Sequence, residues 1–408
     1  MRLPKILFLL LCSILSAANT AAQPSKTKES RLLYQVTRSN SIDGQSRTQF
    51  GFIDKTGKMV IGFDQLPKTT WYVGEFHEGL AVIYMMKGKT AEDTTIGYLD
   101  MTGKMAIPAK FSYARDFSEG LAYVETNEFR GYIDHRGKMI IKIDQLAKAF
   151  PETALEKFTG KEFHEGLAAV GTGLWSKMPY AREDATYGNT LWGYVDRSGK
   201  LVIKPAYRFA DDFSEGRAGV VVDHAYGFID KQGKMIVAPR FLSKSGGPHN
   251  FGIAGTSHFH EGLALVQEAY SGTYGYIDKN GNYVVPSRFT VAYDFSEGVA
   301  WVAESDPKTR EVIELGWIDK SGKWVLPLKK QGLEAWSGKK FSEGLAAVWF
   351  PVNSKGEYRW AYLDHNGNEV INRALSEANE FIGGIARVRI SGNYAYIDKT
   401  GRIIWQLN

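Results

Sequence analysis

Cysteine is nearly absent from this chain of 408 residues, and the one copy, Cys12, lies close to the N-terminus. No disulfide can therefore form within the rest of the chain, whose stability must come from packing and hydrogen bonding. Charge of one sign is also scarce, because 50 Lys and Arg face 45 Asp and Glu, a net charge of +5. A dedicated nucleic-acid-binding protein normally shows a larger basic excess, so we expect no nucleic-acid partner.

Long hydrophobic runs are missing as well. The apolar run Ile6–Leu15 is shorter than the roughly 20 residues needed to span a bilayer, and we expect no membrane span. Arg2 and Lys5 precede this run, and the small residues Ser16–Ala22 follow it. This pattern predicts a secretory signal peptide over residues 1–22 and a secreted or periplasmic location.

An internal repeat dominates the rest of the sequence. Its first motif reads Gly-aromatic-aliphatic-Asp-x-x-Gly and occurs nine times, with variation at the first position. Its aspartates are Asp54, Asp100, Asp134, Asp196, Asp230, Asp278, Asp319, Asp364 and Asp398, and its turn glycines are Gly57, Gly103, Gly137, Gly199, Gly233, Gly281, Gly322, Gly367 and Gly401. A second motif, Phe-Ser/His-Glu-Gly-Leu-Ala, alternates with the first. We assign residues 23–30 to a linker and residues 31–408 to one β-repeat domain.

The first motif has the chemistry of a β-hairpin. Aromatic and β-branched residues precede the aspartate, and a second apolar run such as Lys58–Ile61 follows the glycine. Aspartate can accept backbone N–H groups of the turn, and glycine can adopt the left-handed conformation that matches strand twist. We therefore interpret the nine aspartates and nine glycines as structural turn residues. The second motif adds a turn and a third strand, which makes each repeat a three-stranded β-meander.

These motifs resemble the bacterial WG repeat proteins, also called KWG repeat proteins, which share a Gly-aromatic-Ile-Asp-x-x-Gly-Lys pattern. The resemblance covers about residues 31–408. Ala361 and Ala395 replace the glycine before the aromatic residue in the last two copies. The resemblance implies a secreted or envelope-associated repeat scaffold, and it contributes no catalytic residue.

The fold class is therefore all-β, with about nine tandem meanders. We expect them to stack as a solenoid or superhelix, because propellers usually have four to eight blades of four strands. The alternative is a closed β-propeller-like ring, since sequence periodicity does not measure curvature.

No catalytic, cofactor or metal site emerges from the motifs. A glycosidase needs two carboxyl groups in contrasting environments, whereas these recur in equivalent turns, so we expect a protein that is not an enzyme. A glycan hydrolase built on the same repeats is the alternative. The histidines of the second motif, His77, His164 and His260, lie in separate repeats, and a turn role is favoured over metal binding.

Two features remain as candidates for recognition. Basic residues flank the first-motif turns and could form a stripe, although lysine at a sheet edge also prevents strand pairing. Longer connections, at 145–161 and 243–257, interrupt alternate repeats, and such insertions often bind partners.

Tryptophan is the second candidate, because seven of ten copies fall after residue 300 and flat amphipathic rings suit sugar stacking and interface anchoring. Trp336, Trp349 and Trp360 lie outside the motif positions and are the candidate ligand-binding residues. The sequence thus predicts a non-catalytic scaffold whose partner is a protein or a cell-envelope glycan.

Overall fold

The computed structural model of the chain describes residues 32–42, 45–88, 93–143, 145–146, 158–172, 191–242, 258–329, 337–352 and 357–407. Within these ranges there is no α-helix, and β-strands dominate, which confirms the predicted all-β class. No helix in the described part of the chain could therefore cross a membrane.

Thirty-five strands of the described ranges form nine antiparallel sheets, which we call blades 1 to 9 in chain order. Blade 1 has three strands and the others have four, paired in chain order. Blades 1 to 3 comprise β1 (Tyr34–Ile42), β2 (Gln45–Ile53), β3 (Met59–Ile61); β4 (Thr70–His77), β5 (Leu80–Met86), β6 (Thr94–Asp100), β7 (Met105–Phe111); and β8 (Tyr113–Ala114), β9 (Ala122–Glu125), β10 (Arg130–Ile133), β11 (Met139–Lys142). Blades 4 to 6 comprise β12 (Phe158–Gly160), β13 (Leu167–Thr172), β14 (Trp192–Asp196), β15 (Leu201–Tyr207); β16 (Phe209–Ala210), β17 (Ala218–Val222), β18 (Ala225–Ile229), β19 (Met235–Leu242); and β20 (Phe259–His260), β21 (Leu263–Gln267), β22 (Tyr274–Ile277), β23 (Tyr283–Phe289). Blades 7 to 9 comprise β24 (Val291–Ala292), β25 (Val299–Ser305), β26 (Val312–Asp319), β27 (Trp324–Pro327); β28 (Ser337–Gly338), β29 (Ala346–Pro351), β30 (Tyr358–Leu363), β31 (Glu369–Leu375); and β32 (Glu377–Ala378), β33 (Ile385–Ile390), β34 (Asn393–Asp398), β35 (Ile403–Gln406).

The predicted three-stranded meander lacks one strand of the actual repeat. In blades 2 to 9 a first strand precedes the Glu-Gly turn of the second motif, and in blade 3 it is only Tyr113–Ala114. In blades 3 to 9 this strand has only two or three residues, too few to show an alternating pattern, which is why the sequence did not reveal it. In blade 1 no first strand is present among the described residues, and β1 pairs directly with β2.

The aspartate side chain closes each first-motif turn. In the last copy, Oδ1 of Asp398 accepts the N–H of Thr400 at 3.0 Å and the N–H of Arg402 at 3.1 Å. Gly401 is left-handed, with φ +83°, and the strand register shifts beside the turn. All nine aspartates accept the same two N–H groups. The aspartates therefore shape the backbone, as turn chemistry requires.

Blade 9 packs against blade 1. The hydroxyl of Tyr34 in blade 1 donates to the carbonyl of Ile382 at 2.9 Å, and the hydroxyl of Tyr396 in blade 9 donates to the carbonyl of Gln35 at 2.7 Å. The rings of Tyr34 and Tyr396 meet edge to face, with centroids 5.7 Å apart. The first and last blades are neighbours, so the nine blades form a closed β-propeller.

The stacked solenoid that we preferred from the sequence is thus not the arrangement that the chain adopts, and the alternative of a closed ring is confirmed. Each blade is built from consecutive strands, so side-chain contacts close the ring without strand exchange between its ends. A repeat pattern specifies that neighbours pack together but not the rotation between them. That rotation decides between an open stack and a ring.

One aromatic contact joins each blade to the next. The aromatic residue of the first motif, on the third strand, packs against the phenylalanine of the second motif in the following blade. Ring centroids are 4.7–5.2 Å apart, at interplanar angles of 53–71°, in the pairs Phe52–Phe76, Tyr98–Phe117, Tyr132–Phe163, Tyr194–Phe213, Phe228–Phe259, Tyr276–Phe295, Trp317–Phe341 and Tyr362–Phe381. The tyrosines of this set also donate to a backbone carbonyl of the next blade at 2.5–2.7 Å. Each core cluster is therefore shared by two blades.

The strand register gives the ring two distinct faces. In blade 2, Leu80 follows the Glu-Gly turn and pairs with Asp100, which opens the next turn, so both turns lie at the same end of the strands. We call this end the turn face. The opposite end, the loop face, carries the links from second to third strands and from one blade to the next. The strands flanking the long connections at 145–161 and 243–257 end there.

Replacing Tyr276 with Phe should weaken one junction between blades. The ring is fully buried, and its hydroxyl donates to the carbonyl of Tyr293 at 2.6 Å. We expect Tyr276→Phe to lower the free energy of unfolding by about 1–2 kcal/mol, measured by urea denaturation, because a buried carbonyl loses its donor. Tyr270→Phe is the matched control, since the Tyr270 side chain is fully exposed. An equal loss in both variants would contradict the assigned contact.

Candidate binding surface

The glutamate of the second motif links neighbouring blades on the turn face. It is left-handed in all seven copies, with φ between 51° and 55°. Its carboxylate accepts the N–H of the motif glycine in the next blade, as Glu215 does from Gly262 at 3.0 Å. The ammonium group of Lys279 lies 2.9 Å from the same carboxylate. This arrangement, which we call the glutamate clasp, is a structural role.

The clasp glutamates form ion pairs with residues of the predicted basic stripe, namely with most of the basic residues that directly follow a first-motif aspartate. Of the six basic residues that directly follow a first-motif aspartate, four bind the clasp glutamate of the preceding blade: Lys231, Lys279, Lys320 and Lys399. His135 and His365 occupy the same place in two other blades, 2.9 and 3.0 Å from their glutamates. The four lysines are therefore engaged in ion pairs between neighbouring blades instead of forming an unpaired basic surface.

The three second-motif histidines do not come together. Each faces an aspartate of the following blade, with His77 3.5 Å from Asp116, His164 3.7 Å from Asp212, and His260 3.6 Å from Asp294. Among the described residues no group of three or more His, Cys, Asp or Glu is placed to hold a metal ion. The serine copies of this position donate instead to a backbone carbonyl of the next blade.

Asp116 and Asp212 differ electrostatically from the turn aspartates. Burial raises the pKa of Asp116, to which Glu162 and Glu75 add and against which His77 acts. Burial also raises the pKa of Asp212. Both follow a short first strand and precede the phenylalanine of the second motif.

A charged pair joins blades 3 and 4 beside these aspartates, where Glu162 is the blade 4 counterpart of Asp116 and Arg115 precedes Asp116. The guanidinium of Arg115 binds both carboxylate oxygens of Glu162, at 3.1 and 3.2 Å. Sequence reasoning missed this band of charge along the first strands, because those strands were not recognised. A repeated Asp or Glu before the motif phenylalanine was the signal that could have found it.

Trp349 and Trp360, two of the predicted binding residues, lie side by side at the loop-face end of blade 8. They are register partners on neighbouring strands, with nearly parallel rings (20°) whose centroids are 6.2 Å apart. Tyr358 packs on Trp349 at 4.6 Å, and the ammonium group of Lys339 lies over Trp360. Both tryptophans are half-buried. Trp336 falls outside the described residues.

A second aromatic cluster, which the sequence analysis missed, lies on the loop face of blade 2. Trp71 is 57% exposed and Tyr72 is 46% exposed, and both pack against Tyr84. Trp71 is the most exposed tryptophan among the described residues. The sequence analysis considered only the tryptophans after residue 300. The adjacent pair Trp71-Tyr72, just before Phe76, could have indicated this aromatic cluster.

Other exposed apolar side chains follow the same preference for the loop face. Some large exposed hydrophobic residues of the described ranges lie on the fourth strands, and Leu32 and Ile382 lie where blades 9 and 1 meet. All the others lie on the loop face. They are Trp71, Tyr72, Tyr270, Val291, Val312, Ile313, Val352, Tyr394 and Leu407. Patches of this kind mark interaction sites.

The nine blades, built from copies of the same two motifs, form a nine-bladed β-propeller. Six segments match the model of the WG containing repeat: residues 50–89, 96–128, 192–223, 226–241, 274–305 and 360–394. The chain therefore contains WG repeats, which confirms the family resemblance seen in its motifs.

Comparison with other proteins gives weaker similarities. A search of the curated proteins found no match. Similar solved structures include a eukaryotic initiation factor (11% identity, covering 83% of this chain and 87% of that chain, TM-score 0.46) and dihydro-heme d1 dehydrogenase NirN (13%, 87% and 77%, TM-score 0.43). Another is the β-propeller domain of the Trilobed protease from Pyrococcus furiosus (11%, 84% and 98%, TM-score 0.37). Similarities at this level say nothing about the activity of this chain.

Turn aspartates should make the ring sensitive to acid. A hydrogen bond from the Ser321 hydroxyl, together with two backbone N–H groups, lowers the pKa of Asp319. A carboxyl whose pKa is lower in the folded state stabilises the fold above its unfolded pKa, near 3.9, and loses that contribution as the pH falls through the folded value. Asp319→Asn should therefore show a shallower loss of unfolding free energy below about pH 4. Asp223→Asn, outside the turn motif, is the control, and a slope unchanged by Asp319→Asn would contradict this role.

Asp212→Asn should change the pH dependence of the unfolding free energy in the opposite direction to Asp319→Asn. Burial raises the pKa of Asp212, so that its stabilising contribution is present below the unfolded pKa and is lost as the pH rises through the folded value. The asparagine does not titrate, and we expect the variant to gain unfolding free energy relative to the wild type at neutral pH but not below about pH 4. Urea denaturation across this range measures the difference. A variant that is less stable at neutral pH would show that the pairing with His164 outweighs burial.

Proposed function

We propose that this WG repeat protein is a secreted or periplasmic scaffold without catalytic activity, which binds a protein partner or a cell-envelope glycan through its loop face. The observation that supports this proposal most is that the two faces carry different kinds of residue. Motif carboxylates on the turn face are engaged in turns and clasps, whereas the exposed aromatic residues Trp71, Tyr72, Tyr270 and Tyr394 lie on the loop face.

The aromatic cluster of blade 8 is the first candidate for contact with the partner. Trp349, Tyr358 and Trp360 place three rings at the junction of blades 8 and 9, and Lys339 supplies a cation beside them. The ammonium of Lys339 also donates to Asn379 of blade 9 at 3.2 Å. Half-buried rings with a neighbouring polar group are typical of interface anchors and of ligand sites.

The export part of the proposal rests on sequence. A charged start, a short apolar run and small residues precede position 23, which is the pattern of a cleaved signal peptide. A chain without cysteine after that point needs no particular redox environment in order to fold.

A glycan hydrolase is the second candidate, favoured by the raised pKa of Asp116 near Glu162. A glycosidase acid needs such a shift, and its partner must stay ionised. Release of reducing ends from purified glycans that is abolished by Asp116→Asn would support the hydrolase over the scaffold.

Capture experiments test the scaffold. Immobilised protein comprising residues 23–408 should retain a protein or glycan from cell-envelope fractions, and Trp336→Ala, Trp349→Ala and Trp360→Ala combined should reduce the retained amount by at least about tenfold, because aromatic anchors carry much of the binding energy. Lys58→Ala on the turn face is the control and should leave capture unchanged. Equal capture by all variants would remove the aromatic cluster of blade 8 as the contact, and no capture by the wild type would count against the scaffold itself.

A further inference from the structure

Blade 2 departs from the repeat in the length of its first strand. β4 has eight residues, whereas the first strands of blades 3 to 9 have two or three. The additional residues lie toward the loop face and include Trp71 and Tyr72. Elsewhere in the ring no first strand reaches so far among the described residues.

The register of β4 and β5 holds three rings in a fixed arrangement. Tyr72 pairs with Tyr84 across the two strands, and their ring centroids are 5.5 Å apart at 73°. Trp71 meets the same Tyr84 at 6.3 Å and 69°, and Phe50 of blade 1 supports Tyr72 at 6.0 Å. Tyr84 is half-buried while the other two rings are largely open to solvent. A rigid pair of exposed rings supported on a tyrosine loses little conformational freedom on binding.

This cluster is too small for a stable protein interface. An aromatic side chain can bury about 150–250 Å², so Trp71 and Tyr72 together offer at most about 500 Å². A stable protein complex needs about 800 Å² from each partner. On the loop face of blades 1 to 3 the described residues include no other large exposed hydrophobic side chain. The area suits a small ligand with apolar faces.

Charge around the cluster favours a neutral ligand. Burial raises the pKa of Tyr84, and so do Tyr113 and Asp116 of blade 3 and Tyr72 of the cluster itself, so the two blade 3 groups lie within electrostatic reach of the cluster. Arg115 lies nearby but is engaged with both oxygens of Glu162. Glu75 and Glu162 also act on Asp116. Glu75, Asp116 and Glu162 lie with Arg115 and His77 on one side, and the exposed Lys68 and Lys87 lie close to the ends of β4 and β5, which the bond from Met86 N–H to the carbonyl of Thr69 joins. Charges of both signs therefore surround the cluster and neither dominates, which favours a neutral ligand over a polymer of one charge.

We propose that Trp71, Tyr72 and Tyr84 form a platform for a neutral oligosaccharide, whose sugar rings stack on Trp71 and Tyr72 while sugar hydroxyls donate to the carboxylates of Glu75 and Asp116. Aromatic rings accept the apolar face of a sugar, and carboxylates accept hydrogen bonds from its hydroxyls. The inference rests on the proposed role of the loop face, and it assigns that face a ligand class and a second site, separate from the aromatic cluster of blade 8.

Titration of the protein of residues 23–408 with cellohexaose, maltohexaose, xylohexaose and chitohexaose tests the platform. We expect at least one of them to change the tryptophan fluorescence and to give a measurable heat of binding. Trp71→Ala and Tyr72→Ala should each weaken that affinity by about tenfold or more, since each removes one stacking surface. Trp71→Phe should restore part of it. Polygalacturonate, an anionic polymer, should bind at least about tenfold more weakly than the best neutral probe.

Tyr270→Ala is the matched control, because it removes a fully exposed ring from the loop face of blade 6. Thermal unfolding of each variant shows that the fold is intact. Absence of binding by all four neutral probes at millimolar concentration, equal binding of polygalacturonate, or equal losses in Trp71→Ala and Tyr270→Ala would each overturn the platform. If no neutral probe binds while the triple tryptophan variant still loses envelope capture, the platform is wrong and the scaffold stands; if the wild type captures nothing from envelope fractions, the scaffold is contradicted whatever the titration gives.

Discussion

An aromatic contact between consecutive blades is the interaction on which the ring depends. It joins eight consecutive junctions through the first-motif aromatic residue and the second-motif phenylalanine, and Tyr34 with Tyr396 supplies it where blades 9 and 1 meet. Each such pair contributes about 0.5–1.5 kcal/mol beyond the burial of its area, and the sum over the ring is comparable with the net stability of a typical domain, about 5–15 kcal/mol. A ring without disulfides or strand exchange needs every junction to carry this contact.

The glutamate clasp has a different function, because exposed ion pairs contribute only about 0–1 kcal/mol. Blade 9 shows this directly, since Gly383 stands where the other blades have glutamate and the ring still closes. Closure there uses the Tyr34 hydroxyl, which donates to the carbonyl of Ile382, next to the missing carboxylate. The clasp therefore orients neighbouring turns, while aromatic packing supplies the cohesion.

The sequence predicted those parts of the fold whose local sequence pattern is long enough, or repeated often enough, to be recognised. Nine copies of Asp-x-x-Gly identified the hairpins and their turn residues, because turn chemistry is local. The first strands of blades 3 to 9 went unrecognised, since Tyr113–Ala114 and its counterparts are too short for a pattern, and the charged band was missed with them. Trp71 lies on the longer β4, and it was missed because attention went to the tryptophans after residue 300. Ring closure depends on a small rotation at every junction, which no single repeat encodes. Trp349 and Trp360 were chosen from the sequence as candidate binding residues, but Trp360 holds the place that Trp192 and Tyr274 hold in other blades, directly before the position of the first-motif glycine. The pairing of Trp349 with Trp360 depends on a cross-strand register that the motif positions alone did not supply.

Separation of the two faces explains where the repeats are free to differ. The sixth residue after each clasp glutamate lies at the loop-face end of the second strand, and it is different in every copy: Tyr84, Glu125, Gly171, Val221, Gln267, Ala303 and Trp349. Arg389 takes the corresponding place in blade 9. The same strands begin at turns whose backbone conformation is nearly identical. Glu125, Val221 and Ala303 are buried, so a substitution there would disturb the packing between blades. Tyr84, Gln267, Trp349 and Arg389 reach solvent, and they lie apart from the motif aromatic contacts and the clasps. At these places the side chain can vary from blade to blade without rebuilding the fold.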